Sequence, residues 1–240
     1  MSDQESQGAL KGRAALYVDG FNLYHPIDQS GKHHLKWASL WRLGEILANQ
    51  EGLQLVKVVF CTAVPKHLPG KRDRHNIFNA AQIACGVLVI KGHHVPEEEG
   101  KYSEKQSDIN VALSVILDGL DDVYDTAFLL SADSDQVATA RAFKERLAPK
   151  GKKLIGAIPL ERSFPTDYAG LGVGVVVVTE GHLEAAIMPD QVIGKSGNMI
   201  NRPPNYTPPE GWIHPDQRPK GKPPKAPKKG AWSKSYKSGH

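Results

Sequence analysis

Six short apolar runs, set apart by segments of helical periodicity, restrict the fold of this chain more than any other feature. The runs are Ala14–Val18, Leu53–Thr62, Val87–His94, Thr126–Ser131, Lys153–Ile158 and Val173–Thr179. Several are rich in β-branched residues, which suit a pleated and buried surface. Between them the spacing predicts helices over Trp37–Ala48, Asp73–Ala84, Ser107–Leu117 and Gln136–Leu147. Trp37, Leu40, Trp41, Leu43, Ile46 and Leu47 recur at helical intervals, and Ile109, Ala112, Leu113, Ile116 and Leu117 share one face of the third helix. Ile77, Ala80, Ala81 and Ala84 form a stripe, with Gly86 as a stop; Gly119 ends the next helix, and Pro149 with Gly151 closes the last. Pro96–Ser103 reads as a polar loop. Strands alternating with such helices imply βαβ units. The expected fold is α/β: three-layer, Rossmann-like, with a mostly parallel central sheet.

The two ends differ from this body. Residues 1–12 are polar and expected to be disordered. Residues 13–190 hold the folded domain. Nine of the 17 prolines lie between Pro203 and Pro227, and residues 201–240 carry nine Lys/Arg against two Asp/Glu. Residues 198–240 therefore read as a basic, Pro/Lys-rich disordered tail that buries too little apolar area to offset its ordering entropy. The rest of the chain carries 21 Lys/Arg against 24 Asp/Glu, so the net charge of +4 belongs to the tail. No apolar run approaches the roughly 20 residues that span a bilayer. The N-terminus lacks a secretory signal. Cys61 and Cys85 sit in apolar surroundings, outside any zinc spacing, and read as buried free thiols. A reducing cytoplasm fits.

Four aspartates point to chemistry. Asp19 follows Leu-Tyr-Val and precedes Gly20, Phe21 and Asn22. Asp108 opens a helix after Lys105, Gln106 and Ser107. Asp133 and Asp135 follow the apolar run that ends at Ser131. Each motif alone admits a turn or helix-cap explanation. Together they place carboxylates at strand ends and a helix start, where α/β sheets put their sites. Clustered like charges are costly without a cation, and oxygen ligands favour Mg²⁺ or Mn²⁺. Adjacent histidines (His33 with His34, His93 with His94) offer no ready zinc site.

The three motifs, in this order and at this spacing, resemble the NYN domain, the LabA-like branch of the PIN-like nuclease superfamily, over roughly residues 13–185. The resemblance implies a PIN-type Rossmann-like domain and an acidic pocket that binds Mg²⁺ or Mn²⁺ and hydrolyses RNA. It makes Asp19, Asp108, Asp133 and Asp135 the metal-binding, catalytic acids, with Asn22 and Ser131 supporting metal or phosphate. Ala132 stands where the family often has Gly, and Gln136 where an aromatic residue often follows. Neither change removes a ligand; Gln136 bears on substrate preference. Lys105, one turn before Asp108, reads as either a phosphate contact or a surface lysine, as do Arg72 and Arg74.

The expected activity is metal-dependent hydrolysis of RNA, single-stranded in the first instance, with the tail's Lys, Arg, Trp and Tyr raising local RNA concentration. The rival reading is a non-catalytic RNA-binding module on the same fold. A D-x-D phosphatase with Asp133 as nucleophile ranks below both, because the motif follows a late strand. A homo-oligomer and a protein partner of the tail stay open.

Overall fold

The computed structural model describes residues 12–65, 68–96, 102–160, 162–163 and 165–218. The main strands are β1 (Arg13–Asp19), β2 (Gln54–Ala63), β3 (Leu88–Pro96), β4 (Tyr102–Lys105), β5 (Thr126–Leu130), β6 (Lys153–Pro159) and β7 (Gly174–Val178). They form one seven-stranded sheet in the order β4-β3-β2-β1-β5-β6-β7. All neighbours are parallel except β3 and β4, an antiparallel hairpin at one edge. The chain runs outward from β1 to β3, crosses back to β5 and runs outward the other way. The order reverses between β1 and β5. There the connections leaving the carboxyl ends part to opposite sides and open a crevice.

Helices cover both faces: α1 (Gly20–Gln29), α2 (Leu40–Gln50), α3 (Pro69–Ala84), α4 (Ser107–Leu120), α5 (Val137–Arg146) and α6 (Glu180–Ala185). Ala14, Leu16 and Val18 of β1 pack with Leu23 of α1 and Leu40, Leu43 and Leu47 of α2. Ala15 and Tyr17 pack on the opposite face with Val111 and Val115 of α4 and Phe143 of α5. Asp19, in phase with Ala15 and Tyr17, belongs to the α4 side. Behind it the Tyr17 hydroxyl donates to Asp118 of α4 at 2.7 Å, and Lys57 of β2 pairs with the same carboxylate at 2.8 Å. These bonds tie the helix that carries Asp108 to the strand that carries Asp19.

The α/β architecture and the parallel sheet are those expected; several local readings change. The second helix starts at Leu40 rather than Trp37, because the Ser39 hydroxyl accepts the Arg42 N–H at 3.2 Å and caps it. Trp37 instead ends a 3-10 turn and is buried, its indole N–H on the Pro189 carbonyl at 2.9 Å. The helix expected over Asp73–Ala84, α3, begins earlier, at Pro69, a residue preset for a first turn. Part of the polar loop is β4, and residues 97–101 lie outside the described residues. In α4 the buried face is Val111, Val115 and Gly119, whereas Ile109, Leu113, Leu117 and Leu120 are exposed. The apolar stripe read from the sequence is thus largely the solvent side. Gly119 is not a stop: a Cβ there would lie 2.5 Å from Leu147 Cδ1 and 2.6 Å from the Tyr124 hydroxyl, so its bareness lets α4 seat.

The C-terminal boundary also moves. Beyond residue 190 the chain forms a small hairpin, β8 (Gln191–Ile193) with β9 (Met199–Asn201). Ile200 and Tyr206 are buried with Trp37, Ala81 and Met188 in a third core cluster. Arg218 pairs with Glu184 of α6 at 2.8 Å. The packed body therefore reaches Arg218 rather than ending near 190, because a few anchored apolar residues suffice to hold a Pro-rich segment. The remaining tail, 219–240, and residues 1–11 lie outside the described residues. Cys61 is buried and Cys85 half-buried, and the two form no disulfide with each other. Among the described residues no helix is long and apolar enough to cross a membrane.

Candidate active site

Asp19 ends β1 and caps α1. It is fully buried. Its Oδ1 accepts the backbone N–H groups of Phe21 at 3.0 Å and Asn22 at 3.3 Å. Its Oδ2 accepts the Asn22 side-chain amide at 2.6 Å and the Ser131 hydroxyl at 3.2 Å. The capping role open to a strand-end aspartate is therefore real, but it occupies one oxygen. The other oxygen faces the neighbouring strand end.

Asn22 and Ser131 lock the two strand ends together. The Asn22 side-chain oxygen Oδ1 accepts the Ala132 N–H at 3.2 Å, and the Ser131 hydroxyl accepts the Asp133 N–H at 3.1 Å. Asp133 caps the short 3-10 turn Ser134–Gln136, accepting the Asp135 N–H at 2.9 Å. That turn aims Asp133 at the crevice and leaves Asp135 at its exposed rim.

Asp108 reaches the same crevice from the opposite wall, in the first turn of α4. Gln106 before it holds a left-handed backbone, φ 77°, which turns the chain from β4 into the helix. Partial burial, then the charges of Asp19, Asp133 and Asp135, and a hydrogen bond shared with Asp19 push the Asp108 carboxyl up to about 6. Asp19, Asp133 and Asp135 therefore all lie close enough to act on Asp108. The side chain of Lys105 lies outside the described residues, as do those of His93 and His94.

Two residues of the site were not singled out as ligand-supporting from sequence. Gln136 is buried; its amide donates to the Asp108 carbonyl at 3.2 Å and its oxygen accepts the Thr139 hydroxyl at 2.8 Å. It clamps the Asp133–Asp135 turn to the start of α4. A buried amide directly after a D-x-D pair was the available signal. Tyr168, from the segment after β6, is buried with its hydroxyl 3.4 Å from the Asp133 carbonyl. No sequence spacing links it to the site.

The donor set suits a hard cation: carboxylate oxygens with hydroxyl and amide oxygens beside them. Asp108 holds a raised affinity for a proton because of its partial burial and then the charges of three nearby carboxylates, and a cation would relieve that excess charge. The Ser107 hydroxyl at this helix start is also buried without a partner among the described residues. The arrangement itself is not closed around a point. Among the described residues no three His, Cys, Asp or Glu side chains are grouped to hold one ion. Asp19 already accepts four hydrogen bonds from Phe21, Asn22 and Ser131 besides the one it shares with Asp108, about the capacity of a carboxylate, so ligation would require Asp108 to give up its proton and the Ser131 or Asn22 contact to loosen.

Fold and site together define a doubly wound α/β domain with an acidic crevice at its switch point. The model of the NYN domain matches residues 13–164, and the chain belongs to that family, part of the PIN-like nuclease superfamily. A solved protein of unknown function, VPA0982 from Vibrio parahaemolyticus, is similar in fold, with a TM-score of 0.50 and 17% identity over 72% of this chain and 97% of that one. No curated protein matches the chain.

Proposed function

We propose that this protein is a metal-dependent ribonuclease acting on phosphodiester bonds at the crevice between β1 and β5. The observation that carries the reading is the coupling of Asp108 to Asp19, Asp133 and Asp135, four acids from three separate segments, in a chain of the NYN family. Asp19, Asp108 and Asp133 would hold Mg²⁺ or Mn²⁺, with Asp135 completing the set from the rim. A cation so held neutralises phosphate charge and supplies a hydroxide near neutral pH. The chain's own residues do the rest. Asn22 and Ser131 orient the Asp19 carboxylate by donating to it. Gln136 fixes the separation of the Asp108 and Asp133 walls. Asp135 is free to accept the proton of an attacking water or to orient it. Single-stranded RNA incubated with the full chain and Mn²⁺ should be cleaved, and EDTA should stop cleavage. Equal cleavage by an Asp19→Asn/Asp133→Asn double variant would remove the assignment.

The saturation of Asp19 by hydrogen bonds favours one rival, a non-catalytic RNA-binding module. It predicts RNA binding that neither Mn²⁺ nor EDTA alters, and no turnover.

A further inference from the structure

The mouth of the crevice is aromatic on its α1 side. Phe21, whose N–H is bound to Asp19, is 56% exposed, an unusual setting for phenylalanine. Its ring centroid lies 4.0 Å from that of His25, one turn along, at an interplanar angle of 58°. Tyr24 flanks the pair, 5.3 Å from His75 of α3. Lys36 stands 4.0 Å over the Tyr24 ring. Two cations, Lys71 in the first turn of α3 and Arg162 from the segment after β6, lie close enough to act on the charge of His25. The nearby acids Asp28 and Asp73 are paired, with Lys36 and Arg72 respectively. None of this is needed for packing, since the Phe21–His25 face points away from the core formed by Leu23 and Ile27.

We propose that Phe21 and His25 form a stacking platform for the nucleotide beside the scissile phosphate, with Lys71 and Arg162 meeting the flanking phosphates, so that the crevice takes single-stranded RNA and rejects a duplex. Every unpaired base has a face that can stack on such a ring. In a duplex those faces are already stacked on neighbouring bases, and recognition falls to shape and backbone instead. The inference rests on the ribonuclease reading for its substrate. The charge around the rings selects a polyanion, and continuity with the Asp19 pocket places that polyanion where cleavage would occur.

The test uses the full chain, with Ca²⁺ in place of Mn²⁺ and the RNA checked for integrity. The probe is a short single-stranded oligoribonucleotide carrying 2-aminopurine, compared with the same sequence as a duplex. Binding should quench the 2-aminopurine. Phe21→Ala should abolish the quench and weaken single-strand affinity at least about fivefold, the low end for one stacked base, while duplex affinity stays unchanged. Phe21→Trp should restore both signals, which a merely structural role for the ring would not require. Lys71→Ala and Arg162→Ala should each reduce the salt slope by about one. Equal affinity and quench for wild type and Phe21→Ala, or no binding of single strands, would overturn the platform. Failure of the two ideas is separable. Loss of binding in Phe21→Ala without metal-dependent cleavage by wild type would sink the ribonuclease reading alone. Cleavage with an inert Phe21→Ala would sink the platform alone.

Discussion

Replacing Asp108 with Asn should stabilise the metal-free protein at neutral pH. Asp108 titrates near 6 against an ordinary 3.8, a rise of about two units, or at most ~3 kcal/mol. Asp108 is still substantially exposed, so screening by solvent reduces this to about 1 kcal/mol. The sign follows from proton binding. Between about pH 4 and pH 6 the folded state holds a proton that the unfolded state has lost, so stability falls as pH rises through that window and stays low above it. Asn carries no charge at any of these pH values and can still donate to Asp19. In EDTA at about pH 7.5 the variant should melt roughly 2–4 °C above wild type, the shift that ~1 kcal/mol gives a domain of this size. At about pH 4 the gap should close. Adding Mn²⁺ should raise the melting temperature of wild type more than that of the variant. A variant that melts at or below wild type in EDTA at neutral pH would refute the charge-cluster reasoning, as would a gap that ignores pH.

Other outcomes follow from the packing. Gln136→Ala removes one buried and one partly buried hydrogen bond and should cost about 1–3 kcal/mol in urea unfolding, with a fall in kcat larger than any change in KM. Gly119→Ala drives a Cβ into Leu147 and Tyr124 and should cost about 1–3 kcal/mol, read by the same unfolding curve. Removing residues 198–240 strips Ile200 and Tyr206 from the third core cluster and should lower the melting temperature. A deletion meant to probe the tail's affinity for RNA must therefore begin after Arg218.

The sequence made the sheet legible because a parallel strand buried on both faces writes itself as a continuous apolar run, as Ala14–Val18 and Thr126–Leu130 do. Asp19, Asp133 and Asp135 were legible because they follow those runs, and Asp108 because it opens an apolar-striped helix. What escaped depends on tertiary contact. The stripe Ile109, Leu113 and Leu117 has helical spacing, but spacing does not say which side meets the sheet; Tyr17, Lys57 and Asp118 decide that by tying the other side down. Gly119 looked like a terminator because nothing local records that Leu147 needs its space. Tyr206 and Ile200 lay in Pro-rich surroundings whose composition suggested disorder, although two buried anchors were enough to dock the segment. Gln136 stood out only as a departure from a family pattern, and its bond to the Asp108 carbonyl spans 28 residues.

The most direct test of the central claim is an anomalous difference map from a crystal of the full chain soaked in Mn²⁺ above about pH 7, where Asp108 should be ionised. The account predicts a peak bounded by Asp19, Asp108 and Asp133, with the Asp108–Asp19 hydrogen bond gone. A map with no peak there, and with Asp108 still bonded to Asp19, would contradict it.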